Sequence, residues 1–165
     1  MPEPRELVIN TGPLIALTAA LGDLKLLSVL YQRVIVPLEV CDEILVQNAT
    51  RYGAAEFHAA SWLEKRSAAT AISPFLRNVL DLGEAAVIQV AANERVGTVC
   101  IDEPVGRRIA RLHGLRVTGT LGVLIRGKRE GQPIELRRAI ERMQGKGVRL
   151  SERVIRDALK EAGEL

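Results

Sequence analysis

Leu7-Val8-Ile9-Asn10-Thr11-Gly12-Pro13-Leu14-Ile15-Ala16-Leu17 holds a strand, a tight turn and the start of a helix within one short stretch. Leu7 to Ile9 is an apolar run that stops abruptly at polar and small residues, the pattern of a strand buried on both faces. Thr11 is suited to cap a helix whose first turn holds Pro13, where a missing N–H is harmless. In an open parallel sheet, ligands sit just beyond the carboxyl ends of the strands. Asn10 therefore stands where a site is expected.

Working outward, Leu24 to Leu30 reads as a second short helix and Arg33 to Val36 as a β-branched strand. Pro37 ends that strand and opens a helix through Leu38, Cys41, Ile44 and Leu45. A helix over Arg51 to Ala60 and a short edge strand at Trp62-Leu63 follow. Ser73-Pro74 starts another helix, and Asp81-Leu82-Gly83-Glu84 leads into a helix over 85–92. That segment is apolar nearly all round, so it should pack closely on the sheet. Thr98 to Ile101 is the second central strand, with Asp102 at its end. Gly106 to His113 is a helix closed by Gly114, and Arg116 to Thr118 the next strand. Beyond Thr120 the pattern is helical, over Leu121 to Arg129, over Pro133 to Gln144, and from an N-cap at Ser151 to Ala162. Strands alternating with helices give an α/β protein with a parallel sheet covered on both faces.

The 165 residues suit one domain over 1–165, and a hydrophobic share of 47% marks a folded chain. Aromatics at 3% leave few platforms for stacking bases, which argues against a sequence-reading RNA module. Cys41 and Cys100 lie in apolar runs without metal-ligand spacing and read as buried reduced thiols. The start lacks the pattern of a signal peptide and no apolar run could span a bilayer, so a cytoplasmic protein is expected. The net charge of +3 is uneven: residues 1–103 carry 8 Lys/Arg against 13 Asp/Glu, residues 104–165 carry 15 against 7. That basic part is either a set of solvated helix faces or a phosphate-attracting surface beside an acidic pocket.

Asn10, Glu43, Glu84 and Asp102 come from four distant points, yet each can face one side of the sheet. Acids gathered in an open crevice repel one another and usually need a cation, and all-oxygen ligands suit Mg²⁺ or Mn²⁺. Each also has a plainer reading. Glu43 could be a solvated helix carboxylate, Glu84 could complete a capping box with Asp81, and Asp102 could cap a helix. Asn10 could be a turn residue, or could donate a hydrogen bond to Asp102 or Glu84. His113, near a helix end, reads as structural. No glycine-rich phosphate loop follows the first strand, no G-x-S-x-G elbow occurs, and the two histidines lack zinc spacing.

Four segments taken together resemble the successive motifs of PIN domains, the small metal-dependent ribonucleases that include VapC-type toxins. They are Val8 to Ile15, Val36 to Glu43, Leu82-Gly83-Glu84-Ala85-Ala86 and Ile101-Asp102. Gly114-Leu115-Arg116-Val117-Thr118-Gly119-Thr120-Leu121-Gly122-Val123-Leu124 is similar to a stretch of one prokaryotic PIN-like branch, whose first strand also ends in Asn. The resemblance spans about residues 7–160. It implies a three-layer α/β/α fold with four or five parallel strands, one or two Mg²⁺ or Mn²⁺ ions, a homodimer, and often a small antitoxin partner. By position Asn10 takes the place of the family's first Asp, and Glu43, Glu84 and Asp102 take the second, third and fourth acidic places. The departure is Asn10, whose amide oxygen can ligate but adds no charge.

The function expected is a metal-dependent endoribonuclease. Its metal would be held by Asn10, Glu43, Glu84 and Asp102, Thr11 would position water or a phosphate oxygen, and Arg107, Arg108 or Arg126 would hold flanking phosphates. The alternative is a PIN-like module without the chemistry, binding a protein partner or RNA. A metal-dependent phosphatase ranks last, because the first strand supplies no nucleophilic Asp. Apolar stripes around Leu24 to Leu30 and Leu45 to Phe57 are the stretches offered to a second copy.

Overall fold

The computed structural model describes residues 5–47 and 52–165. In chain order the elements are β1 (Glu6–Ile9), α1 (Thr11–Leu21), α2 (Lys25–Leu30), β2 (Arg33–Val36) and α3 (Leu38–Asp42). A π-helical turn over Glu43–Gln47 continues α3, and α4 (Ala54–Ala59), β3 (Glu64–Lys65), α5 (Pro74–Val79) and α6 (Leu82–Glu94) follow. The remainder is β4 (Thr98–Cys100), α7 (Pro104–Leu112), β5 (Arg116–Thr118), α8 (Thr120–Arg129), α9 (Leu136–Gly145) and α10 (Glu152–Glu161).

The five strands form one parallel sheet in the order β3-β2-β1-β4-β5. Leu7, Val8 and Ile9 are fully buried, as a central strand covered on both faces requires. Helices α1, α2, α8, α9 and α10 pack among themselves, while α6 lies on β1 and β4 and packs against α3, α5 and α7. The result is the three-layer α/β/α arrangement. From β1 the chain builds outward to β2 and β3, then returns to the other side of β1 with β4. The reversal puts a topological switch point between β1 and β4, where ligands bind in open α/β sheets. In the β1/β4 register Ile9 is level with Cys100, and the Asn10 N–H donates to the Cys100 carbonyl at 3.1 Å. Asn10 and Asp102 thus leave neighbouring strands at the same edge.

Several expected boundaries move. Trp62 is exposed and the edge strand is Glu64–Lys65, which begins where the chain draws level with Ile35 of β2. The helix expected from Pro133 starts at Leu136, after a turn in which the Ile134 N–H bonds the Gln132 carbonyl. Arg51 lies outside the described residues, and the helix expected from it runs over Ala54–Ala59. The leucines offered to a second copy are used inside the chain: Leu24, Leu26, Leu27 and Leu30 are buried, with α2 against α8 and β2. Phe57 is buried as well. Cys41 and Cys100 are free thiols in the core. No helix among the described residues is long and apolar enough to cross a membrane.

Candidate active site

Asn10, not Thr11, is the residue flanking α1: it has extended backbone and its side chain makes no capping bond. Thr11 is the first helical residue, and the one-residue shift turns its hydroxyl away from a cap. It donates instead to Glu43 Oε2 at 2.9 Å. Glu43 reaches that point because α3 passes into a π-helical turn there, and π-turns re-aim side chains and occur often at functional sites.

Gly83 is the floor beneath these groups. A Cβ at this position would lie 2.9 Å from Glu43 Oε2, 3.2 Å from Asn10 Oδ1 and 3.7 Å from Asp81 Oδ1. Three oxygens from three segments face the space that a side chain would fill. Asn10 is buried, and its Oδ1 has no hydrogen-bond partner. An acceptor buried without a donor is unfavourable, and beside a carboxylate its place suits a cation, a proton or a donating water.

Glu84 belongs to a different part of the site. Asp81 caps α6 by accepting from the Glu84 N–H at 2.9 Å, so the capping-box spacing has structural use. The Glu84 side chain turns toward the start of α7, where its carboxyl presses against Gly106. There Glu103 caps α7, accepting from the N–H groups of Val105 and Gly106 at 3.0 and 2.8 Å. Burial first, and then the neighbouring carboxyls of Asp81 and Glu103, push the Glu84 carboxyl up to about 8. Its Oε2 is the second buried acceptor here without a partner.

Asp102 is exposed and does not cap α7. It accepts from the N–H and the hydroxyl of Thr120, at 2.8 and 2.6 Å, and so closes the first turn of α8. Gly119 allows this approach, since a Cβ there would stand 2.6 Å from Asp102 Oδ1 and 2.7 Å from Arg107 Nη1. Arg107 donates to the Ile101 carbonyl at 2.9 Å, which places its guanidinium beside Asp102. Arg108 is exposed on α7. Arg126 is elsewhere: it covers the Tyr31 ring and pairs with Glu130, which also pairs with Arg5. Tyr31 and Arg5 precede β2 and β1, so Arg126 sits at the opposite edge of the sheet from Asn10. His113 has the structural place expected of it, bonded to the Ile109 carbonyl and stacked on Phe75.

The structure therefore bonds Thr11 to Glu43 and brings Asn10 to the same space over Gly83, while Glu84 turns toward α7 and Asp102 is held by Thr120. Asn10 makes no hydrogen bond to Asp102 or Glu84. Among the described residues no three His, Cys, Asp or Glu side chains gather closely enough to hold a metal ion. The donors fit a hard divalent ion in kind, being amide and carboxylate oxygens, and the unpartnered Asn10 Oδ1 beside Glu43 fits one in place. Sequence reasoning missed Gly83, Gly106, Gly119 and Thr120. Gly83, Gly119 and Thr120 lie in stretches that resemble family motifs, but nothing local tells what their neighbours would be.

A doubly wound parallel sheet, with polar and acidic residues at the carboxyl edge of its central strands, defines an α/β protein whose site lies at the switch point. A family model described as a PIN domain matches residues 6–164, and the chain belongs to that family. PIN domains are generally nucleases and typically depend on divalent metal. No curated protein and no solved structure matches the chain.

Proposed function

We propose that this PIN domain is a metal-dependent endoribonuclease and the toxin of a toxin–antitoxin pair. We read it as one domain over residues 1–165, cytoplasmic, and working as a homodimer. The observation that carries the nuclease reading is the buried, unpartnered Asn10 Oδ1 facing Glu43 Oε2 across Gly83 at the end of the central strand.

Asn10, Glu43, Glu84 and Asp102 would hold Mg²⁺ or Mn²⁺, which when bound supplies a water of lowered pKa and positive charge for the scissile phosphate. Thr11 holds Glu43 Oε2, the oxygen that faces Asn10, by its hydrogen bond, and that oxygen keeps a lone pair for ligation. Thr120 fixes Asp102 in the same manner, and each carboxylate oxygen keeps an unused lone pair. Arg107, tethered to the Ile101 carbonyl through one nitrogen, has the rest of its guanidinium available for a phosphate oxygen. Glu84, whose carboxyl burial pushes up to about 8, would give up a proton to serve as a ligand.

Purified protein incubated with mixed RNA, with Mn²⁺ and with chelator, tests this. Cleavage with Mn²⁺ and none with chelator is expected; intact RNA under both conditions overturns it. A second reading, a PIN-like module that binds RNA or a protein partner without cutting, is favoured by one observation: among the described residues no three acids converge. Binding of RNA without cleavage would establish that reading.

A further inference from the structure

A cleft of about 940 Å³ runs between the carboxyl edge of the sheet and the last helices, near the top of the roughly 300–1,000 Å³ typical of ligand clefts. It reaches Asp102 and Thr120, so it is continuous with the candidate active site. Its lining is mainly apolar, with Ile15 and Leu121 from α1 and α8, Leu150 from just before α10 and Val154 from its first turn. Both signs of charge line it. Arg107 and Arg111, one turn apart, come from α7 with Asp102 beside them; Asp157 and Glu161, one turn apart, come from α10, and Arg149 lies just ahead of that helix. Glu161 pairs with Arg129 at 3.3 Å, whereas Asp157 has no ion pair or hydrogen bond among the described residues.

We propose that this cleft takes the base of a nucleotide next to the cleaved phosphate, with Arg107 and Arg111 on the backbone and Asp157 on the amino edge of the base. The inference rests on the nuclease reading and adds a base preference to it. A base is flat with apolar faces, and aliphatic side chains on both sides suit it where aromatic platforms are lacking. A carboxylate accepts from the exocyclic amino group of cytosine or adenine. Uracil offers a carbonyl oxygen at that edge, which a carboxylate repels. Arg107 and Arg111 on α7 suit the phosphates, and their position near Asp102 leads the backbone past the candidate active site. Adenine and cytosine should therefore be preferred to uracil.

The test is fluorescence anisotropy with the full chain in chelator, using labelled oligo(A), oligo(C), oligo(U) and an abasic ribose-phosphate oligomer. Oligo(A) and oligo(C) are expected to bind about tenfold more tightly than oligo(U). Asp157→Asn should erase that preference, since an amide can also donate to uracil. Val154→Glu, at a position 44% exposed where the fold tolerates a charge, should bring oligo(A) and oligo(C) down to the abasic level. Arg111→Ala should weaken all four alike and reduce the salt dependence. Equal binding of the four oligomers, binding of none, or no effect of Asp157→Asn and Val154→Glu would overturn the proposal. Binding of an apolar peptide in place of RNA would also overturn it. Cleavage of mixed RNA, measured in parallel, separates the two readings. Cutting without base preference overturns the pocket alone, and base preference without cutting overturns the nuclease alone.

Discussion

Thr120 gives both its N–H and its hydroxyl to Asp102, 18 residues earlier in the chain, at 2.8 and 2.6 Å. A strand end and the next-but-one helix are joined by a single residue whose own side chain is buried. Thr120→Val keeps the shape and removes one of the two bonds. Hydrogen bonds to a charged group contribute about 1.5–3 kcal/mol, and exposure of Asp102 puts this one at the low end. Urea denaturation should show a loss of about 1.5 kcal/mol, with Thr120→Ser restoring most of it. An unchanged midpoint would mean that the N–H alone holds Asp102.

Asn10→Asp sets a second carboxylate opposite Glu43 in a buried space. In chelator the variant should melt below the native protein, because like charges would face each other without a donor between them. With Mn²⁺ the order should reverse: a full charge in place of a dipole is expected to tighten binding at least about tenfold. Calorimetric titration and melting curves measure both halves. If the variant binds Mn²⁺ no better, Asn10 is a turn residue and the non-cutting module becomes the better reading.

Glu84 makes stability depend on pH in a direction unusual for a carboxyl. Its folded value of about 8 lies above the ordinary 4.5, so the folded state holds a proton that the unfolded chain releases. Stability is fully present below about pH 4.5, falls as pH rises toward 8 by up to about 1.4 kcal/mol per unit, and is level above that. Glu84→Gln removes this slope. In chelator, its melting temperature should exceed that of the native protein at pH 8 and approach it at pH 5. A native profile that is flat between those two values would show that Glu84 is not held protonated.

Glu164 performs for α9 what that helix's own flanking residue does not. Glu135 makes no capping bond with its side chain, and Glu164 accepts from the N–H groups of Leu136 and Arg137 at 2.6 and 3.0 Å. It also pairs with Lys128 of α8 at 2.7 Å. Burial opposes the charge, but the bonds from Lys128, Arg137 and Leu136 prevail and hold the carboxyl below its usual range. Glu164→Ala is expected to cost about 0.5–2 kcal/mol, the range for losing a helix cap. The loss should be largest above the ordinary carboxyl value and shrink as acid protonates the native residue. Chemical denaturation at pH 7 and pH 3 compares the two.

The central strands and the alternation of elements were legible because apolar runs such as Leu7 to Ile9 and Thr98 to Cys100 carry their own signal. Asn10, Glu43, Glu84 and Asp102 could be picked out from the ends of those runs and the spacing of their helices. What each carboxylate touches could not be. Glu43 meets Thr11 across 32 residues through a π-turn that no periodicity announces. The use of Gly83 and Gly106 as vacant space depends on side chains delivered by remote segments. Glu164 reaches α9 from 28 residues away, so its cap carries no local spacing. Thr11 was misread by one position, since capping propensity does not tell the last non-helical residue from the first helical one.

The placement of β1 between β2 and β4 also sets an order of events during synthesis. Val8 pairs with Ile35 in one direction and with Val99 in the other. The first partner is close at hand; the second is made only after some ninety further residues, so β1 keeps an unpaired edge on the growing chain. Pairing across such a separation is slow because the loop must close before any contact rewards it. Asn10 and Asp102 come to the same edge only at that closure. A ribosome-bound fragment ending before β4 would have Asn10, Thr11, Glu43 and Glu84 but not Asp102, so a chain that cuts RNA through all of them could do so only after β4 had been made and paired.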